Sequence, residues 1–165
     1  DPGDFRQTIE KIALYKHGDD APLTPEEIES LMPASIEADT DDLIASVAEG
    51  RAGDFAALMR RIEAQGTQPV ALCIATLRHF RALHLAASHP DGPAQGVARL
   101  RPPVFGPRRD RMIRQAQGWG TVALEDAIRQ IIDTDLRLRS SSRAPAMALM
   151  ERMLLRLTMM KRAGR

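Results

Sequence analysis

Arginine is the residue type whose clustering in this sequence points most directly to a chemistry. Six arginines, opposed only by Asp110, fall within sixteen residues: Arg99, Arg101, Arg108, Arg109, Arg111 and Arg114. Guanidinium groups bind phosphate and carboxylate oxygens, often through two parallel hydrogen bonds. The cluster therefore predicts a surface for a nucleic-acid backbone or for an acidic protein partner. A solvated helix face is the alternative interpretation.

The cysteine, histidine and aspartate side chains do not combine into a catalytic or metal-binding pattern. Cys73 lies in an apolar helical segment, which predicts core packing rather than a nucleophile. His79 and His84 are five residues apart, so one helix face does not present both as a metal pair requires. Asp133 and Asp135 point to different faces of a helix and do not form an acid–base pair.

Phosphate-binding loops are absent from the sequence. Neither Gly-x-x-x-x-Gly-Lys-Ser/Thr nor Gly-x-Gly-x-x-Gly occurs. The serines at 140–142 read as a loop rather than as a nucleophile. We therefore predict no catalytic residues, no cofactor or cofactor-binding residues and no metal ligands, so that this chain by itself is not an enzyme.

Helical periodicity dominates the sequence, and no stretch alternates apolar and polar residues with the period of a strand. This pattern predicts an all-α fold, a bundle of about six helices from residue 40 onward with two helices in front of it. The predicted helices cover residues 4–16, 24–32, 40–50, 54–66, 69–88, 94–100, 108–117 and 121–139, and the last begins at Pro145.

Capping residues set several of the predicted boundaries. Residues 33–39 read as a linker, and either Asp39 or Thr40 caps the helix that follows it. Asp54 is predicted to cap the next helix, and Gly66 is well placed to end it. We place the domain boundary within this linker, between residues 1–36 and 37–165.

The helix predicted from Pro69 to Ser88 has apolar residues around most of its circumference, so we expect it to be the deeply buried central helix of the bundle. Its apolar run is interrupted by four polar residues, Arg78, His79, Arg81 and His84. Charges at that density exclude a lipid-exposed span, and we predict no contact with a membrane.

A corner is predicted between the last two long helices. Trp119 and Gly120 form it, and Thr121 caps the helix that follows. Phe105 lies at the other end of the preceding helix. We interpret Phe105 and Trp119 as an aromatic pair that plugs the bundle.

Charge is distributed unevenly along the chain. Residues 1–66 contain 15 acidic and 6 basic side chains, whereas residues 67–165 contain 7 acidic and 17 basic ones. The two parts are therefore expected to be charge-complementary neighbours or to have different partners. The single cysteine is compatible with a reducing cytosol, and we predict a cytoplasmic location.

The first residues suggest a piece of a longer protein. The chain opens on Asp-Pro-Gly-Asp, and the apolar stripe of Ile9, Ile12 and Ala13 has almost no preceding chain to pack on. We expect the sequence to be the tail of a longer protein, cut inside a domain.

Several segments, in order, resemble the delta subunit of the bacterial DNA polymerase III clamp loader. Residues 10–32, EKIALYKHGDDAPLTPEEIESLM, resemble the end of the small helical lid of that family's AAA+ module. Residues 41–83 are similar to its pattern of helix, Gly-Asp turn, helix, Gly, Pro and long helix. RPPVFGPRRDRM at 101–112, Trp119 and LEDAIRQIIDTDLRLRSS at 124–141 complete the resemblance. Arg139 stands where the family usually has lysine.

The resemblance implies a fold and a set of partners. Residues 1–36 would be the C-terminal piece of the AAA+ lid, and residues 37–165 the helical collar domain through which the subunits of the loader assemble. The partners would be the gamma/tau and delta-prime subunits. The sliding clamp and DNA would be contacted through other domains or by the whole complex. The complex serves DNA replication within DNA polymerase III, a DNA-directed DNA polymerase and nucleotidyltransferase.

Arginines are the predicted subunit-interface residues: Arg78, Arg81, Arg108, Arg109, Arg111 and Arg114. The alternative function is an independent helical nucleic-acid-binding domain that uses the Arg99–Arg114 cluster.

Overall fold

The computed structural model describes residues 34–140 and 145–164, and this part of the chain is all-α, as predicted. It contains six helices and no strand. These are α1 (Ala34–Ala48), α2 (Ala52–Ala64), α3 (Pro69–Ala87), α4 (Pro93–Ala98), α5 (Gly106–Arg139) and α6 (Ala146–Ala163). The two helices predicted before residue 33 lie outside the described residues, so the proposed lid segment and the domain boundary stay predictions.

Two predicted N-terminal boundaries are wrong. Helix α1 begins at Ala34, so residues 34–39 are helical rather than a linker. Helix α2 begins at Ala52 after Arg51, which places Asp54 inside the first turn instead of at the cap. The Asp54 carboxylate accepts a hydrogen bond from Arg51 there, and a carboxylate in a first turn also suits the positive end of the helix dipole.

Helix α3 makes its most extensive contact with α5, which explains its central position. It is long and apolar enough to cross a membrane by length and composition, with a mean hydropathy of 1.2. Only one side is buried, through residues such as Leu72, Phe80 and Leu83. The predicted central position is therefore confirmed, but the prediction of a deeply buried helix is wrong, because its other side is open to solvent.

Helix α5 consists of two helical parts that meet at a corner. Gly120 has φ 75° and ψ 164°, a backbone conformation essentially restricted to glycine. The corner was predicted at this position. The first part continues through Trp119 rather than closing at Gly118, and the second part extends to Arg139 as predicted.

Helix α4 can pack close against α3 because residue 96 is glycine. A Cβ atom on Gly96 would lie 2.5 Å from Ala86 Cα, far inside van der Waals contact. The short helix therefore packs backbone to backbone on the end of α3, and Val97 completes the core there.

The core is one cluster shared by all the helices that pack around α3 and α5. Its largest fully buried side chains are Phe80, Leu43, Met59, Ile62, Leu72, Leu83, Leu124, Ile131, Met150, Leu154 and Leu157. Cys73 also belongs to it, as predicted: its thiol lies 3.7 Å from the Ile131 carbonyl oxygen, on the α3–α5 contact.

Candidate subunit interface

The structure separates the six predicted interface arginines into three groups. Arg78 and Arg81 lie on the exposed side of α3. Arg108, Arg109 and Arg114 are exposed on the first part of α5. Arg111 instead turns back onto the protein and pairs with a carboxylate of the same chain.

That carboxylate is Glu49, the residue that follows α1. Arg111 Nε donates to Glu49 Oε2 at 3.1 Å and Arg111 Nη2 donates to Oε1 at 3.0 Å, a bidentate pair. Gln115 Nε2 donates to Oε2 at 2.6 Å, and Arg51 Nε donates to Oε1 at 3.0 Å. Burial alone would raise the pKa of Glu49, but these hydrogen bonds, led by that from Arg111, lower it below its usual 4.5.

His79 extends this network into the bundle. Its Nε2 lies 2.7 Å from Gln115 Oε1, so the imidazole and Gln115 link α3 to the first part of α5. Burial lowers the pKa of His79 below its usual 6.5, and the hydrogen bond with Gln115 opposes that only in part. His79 is thus a neutral packing residue at neutral pH and does not pair with His84.

Trp119 fixes the corner of α5 to the end of α1. Its Nε1–H donates to the Ala48 carbonyl oxygen at 2.9 Å, which satisfies one of the carbonyls left free at a helix C-terminus. Its ring meets Phe80 edge to face, with ring centroids 5.3 Å apart. Trp119 therefore acts as the predicted plug.

Phe105 does not share that role. It precedes α5 and is 77% exposed, so the prediction that it plugs the bundle with Trp119 is wrong. Arg101, Arg108 and Arg109 are also exposed in the same segment of the chain. The structure therefore presents an aromatic ring to solvent among guanidinium groups.

A second exposed surface was not predicted: the outer side of the second part of α5. Val122, Ile132 and Leu136 are exposed there, at 78%, 36% and 62%. Together with Glu125 and Arg129 they are spaced alternately three and four residues apart. This spacing is typical of the side on which one helix packs against another. In the described residues this stripe faces solvent.

The outer side of α3 carries a second exposed stripe. Val70, Ile74 and Leu85 are exposed on it, together with Arg78 and Arg81, at helical spacing. His84 Nε2 lies 3.2 Å from Glu125 Oε1, a residue of the α5 stripe, and this contact joins the two helices. We call the surface made by Val70, Ile74, Leu85, Val122, Ile132 and Leu136 the α3–α5 face.

The sequence did contain a signal for this face. The second part of α5 has two apolar stripes: the one through Leu124, Ala127 and Ile131 is buried, and the one through Val122, Ile132 and Leu136 is exposed. Two stripes on one helix indicate two packing partners.

Among the described residues, no group of three metal-ligating side chains lies close enough to hold a metal ion.

Comparisons with known proteins bear on the fold. No protein-family model matches the chain, and no curated protein matches it. The structure is similar to that of the DNA clamp loader delta protein of Bacillus subtilis, with a TM-score of 0.63, 20% sequence identity and 93% of this chain covered. The chain spans 45% of the length of that protein. This likeness shows that the chain has a clamp-loader-like fold.

Proposed function

We propose that this chain is the collar domain of a clamp-loader delta subunit, with the end of the AAA+ lid in front of it. Its task is to assemble with the gamma/tau and delta-prime subunits of DNA polymerase III in the cytoplasm. The fold shared with the Bacillus subtilis clamp loader delta protein supports the class of complex. The ordered sequence motifs at 10–32, 41–83 and 101–141 support the choice of subunit.

The α3–α5 face is the observation that carries an assembly function. Soluble monomers rarely expose contiguous apolar surface, and such surface usually marks a protein interface. Leu85 and Leu136 leave more than 60% of their surface in water, although each lies on a helix that builds the core. Arg78 and Arg81 are exposed within the α3 stripe, and arginine is enriched at protein interfaces.

An assembly of different subunits needs two different contact surfaces on each member, because a ring of non-identical neighbours uses heterologous contacts. We assign the α3–α5 face to one neighbour. Arg108, Arg109 and Arg114, on the first part of α5, are assigned to the other. Contacts with the sliding clamp are assigned to other regions of the delta subunit or to the complete loader.

The test is light scattering after size exclusion, with this chain alone and mixed with the collar domains of the other loader subunits. We expect a defined hetero-oligomer. Leu85→Asp and Leu136→Asp each should weaken it at least tenfold, because each buries a charge in the contact. Leu155→Asp is the matched control, since Leu155 is 44% exposed and lies on α6, which contributes no residue to the α3–α5 face. Equal assembly by all three variants would refute the assignment.

The arginine assignment has a separate test. Replacing Arg108, Arg109 and Arg114 together with alanine should weaken assembly and leave the fold intact, because all three are exposed. Arg111 stays in place in this variant because its bond to Glu49 supports the fold. An unchanged assembly constant would remove these arginines from the interface.

A nucleic-acid-binding domain is the second candidate function, and the exposed Phe105 favours it. Base stacking on an exposed aromatic ring beside arginines is how proteins bind single strands without reading their sequence. Phe105→Ala should then weaken binding of a labelled single strand, measured by fluorescence anisotropy. An affinity that does not change with salt would exclude this function, because phosphate contacts release counterions.

A further inference from the structure

A groove with basic walls lies between the second part of α5 and α6. Its volume is about 270 Å³, and it is partly open to solvent. Four arginines line it, two from each helix: Arg129 and Arg137 from α5, and Arg152 and Arg156 from α6. Asp133 is the one carboxylate that lines it.

The groove carries positive charge that the described part of the chain does not neutralise. Asp133 pairs with Arg137 at 3.3 Å, and Arg129 lies 3.9 Å from Asp126, at the limit of an ion pair. No carboxylate among the described residues lies within ion-pair distance of Arg152 or Arg156. These two are four residues apart on one helix face, where like charges repel each other.

We propose that this groove binds the phosphodiester backbone of a nucleic-acid strand. Guanidinium groups on both walls can each donate two hydrogen bonds to phosphate oxygens. The four guanidinium groups are spread over both walls, which suits a chain of linked anions better than a single small anion. No aromatic side chain among the described residues lines the groove, so the binding is to the backbone and independent of base sequence.

The lining favours phosphates over an acidic peptide. Peptides usually bind grooves through apolar anchor residues. The apolar part of this lining is limited to Leu149 and Met153, and polar side chains surround them. The charged walls therefore favour a polyanion, whereas the two apolar residues are too few to anchor a peptide.

This inference does not rest on the proposed subunit interface. Along the chain, the residues that line the groove come after the corner at Gly120, whereas Phe105 and the Arg99–Arg114 cluster come before it. Arg129 of the lining also belongs to the α5 stripe, but Arg152 and Arg156 lie on α6, outside the α3–α5 face. Variants of the groove, the cluster and the face can therefore be compared separately.

The experiment measures binding of fluorescein-labelled oligothymidylate to the full chain by fluorescence anisotropy, across a range of salt concentrations. The test variant is Arg152→Gln/Arg156→Gln. The charge-matched control is Arg60→Gln/Arg162→Gln, which removes two exposed arginines outside the groove lining. Thermal melts by circular dichroism should show that both variants fold, because the replaced side chains are exposed.

We expect the test variant to bind about tenfold more weakly than the control. Its plot of log affinity against log salt should be less steep by about 1.4, because each single-strand phosphate contact contributes about 0.7 to the slope. Equal affinities and slopes for the two variants, or no binding by the wild-type chain, would overturn the proposal. Displacement of the strand by polyglutamate at equal charge concentration would also overturn it and indicate an acidic protein ligand.

Discussion

Glu49 and Arg111 form a bidentate ion pair that joins the acidic first part of the chain to the basic second part. The two residues are 62 positions apart, and their paired oxygen–nitrogen distances are 3.0 and 3.1 Å. The pair ties the first part of α5 to the end of α1. It also removes one arginine of the cluster from the surface available to partners.

Glu49→Gln should lower the free energy of unfolding by about 1–2 kcal/mol, because hydrogen bonds to a charged group lose strength when the charge is removed. Urea unfolding followed by the fluorescence of Trp119, the single tryptophan, measures this change. Asp91→Asn is the control, since Asp91 is exposed and its carboxylate makes no ion pair in the described residues. Equal losses in both variants would show that Glu49 contributes only its surface charge.

The loss in Glu49→Gln should depend on pH. The pKa of Glu49 is lowered in the folded protein, so its stabilising effect is present above pH 4.5, the ordinary value. That effect is lost as the pH falls from 4.5 through the lowered folded-state pKa. The difference in stability between wild type and Glu49→Gln should therefore shrink in acid, and a constant difference down to the acid transition would contradict the pair.

Protonation of His79 should affect the stability of the protein at a higher pH than protonation of Glu49. Burial lowers its pKa below 6.5 in the folded state, so the unfolded chain takes up a proton first as the pH falls. Wild-type stability should decrease below pH 6.5 for this reason, and His79→Gln should show a smaller decrease. Urea unfolding of the two proteins from neutral to mildly acidic pH tests this difference in stability. Parallel curves would mean that His79 titrates equally in both states.

Cys73 should resist alkylation in the folded protein. Burial raises the pKa of its thiol to about 11, with a smaller contribution from Asp135. At pH 8 the thiolate fraction is then about 240-fold below that of an ordinary cysteine, whose pKa is about 8.5. Iodoacetamide labelling followed by mass spectrometry should be slow in buffer and fast in denaturant. Fast labelling without denaturant would show that the α3–α5 contact opens readily.

Gly120 and Gly118 provide a matched test of the corner. Gly120→Ala should destabilise the protein by about 1–3 kcal/mol, because its φ of 75° and ψ of 164° are strained for any other residue. Gly118 is helical, and a Cβ there would meet only the flexible end of Lys161, at 3.1 Å. Gly118→Ala should therefore be neutral or stabilising by up to about 1 kcal/mol. Similar changes in stability for the two substitutions would show that the backbone at residue 120 adopts another conformation without strain.

Much of the fold could be predicted from local patterns. The ends of α3 and the corner at Gly120 follow from proline, glycine and apolar spacing, and the structure confirms them. The start of α1 was missed because Pro33 and the polar residues after it read as a linker, although Ala34 and the residues that follow are compatible with a helix. The start of α2 was missed because Asp54 is a good cap in sequence but pairs with Arg51 in the structure.

The sequence by itself determined the helical class, the absence of a phosphate loop and the presence of an arginine cluster, because each depends on residue types at short spacing. Tertiary structure decided which arginines are available and which apolar stripes are covered. Arg111 turns inward because Glu49 reaches it from the end of α1. Leu136 stays exposed because the described helices pack on the opposite side of α5. Such distinctions depend on contacts between residues far apart in the chain, which short-range spacing does not encode.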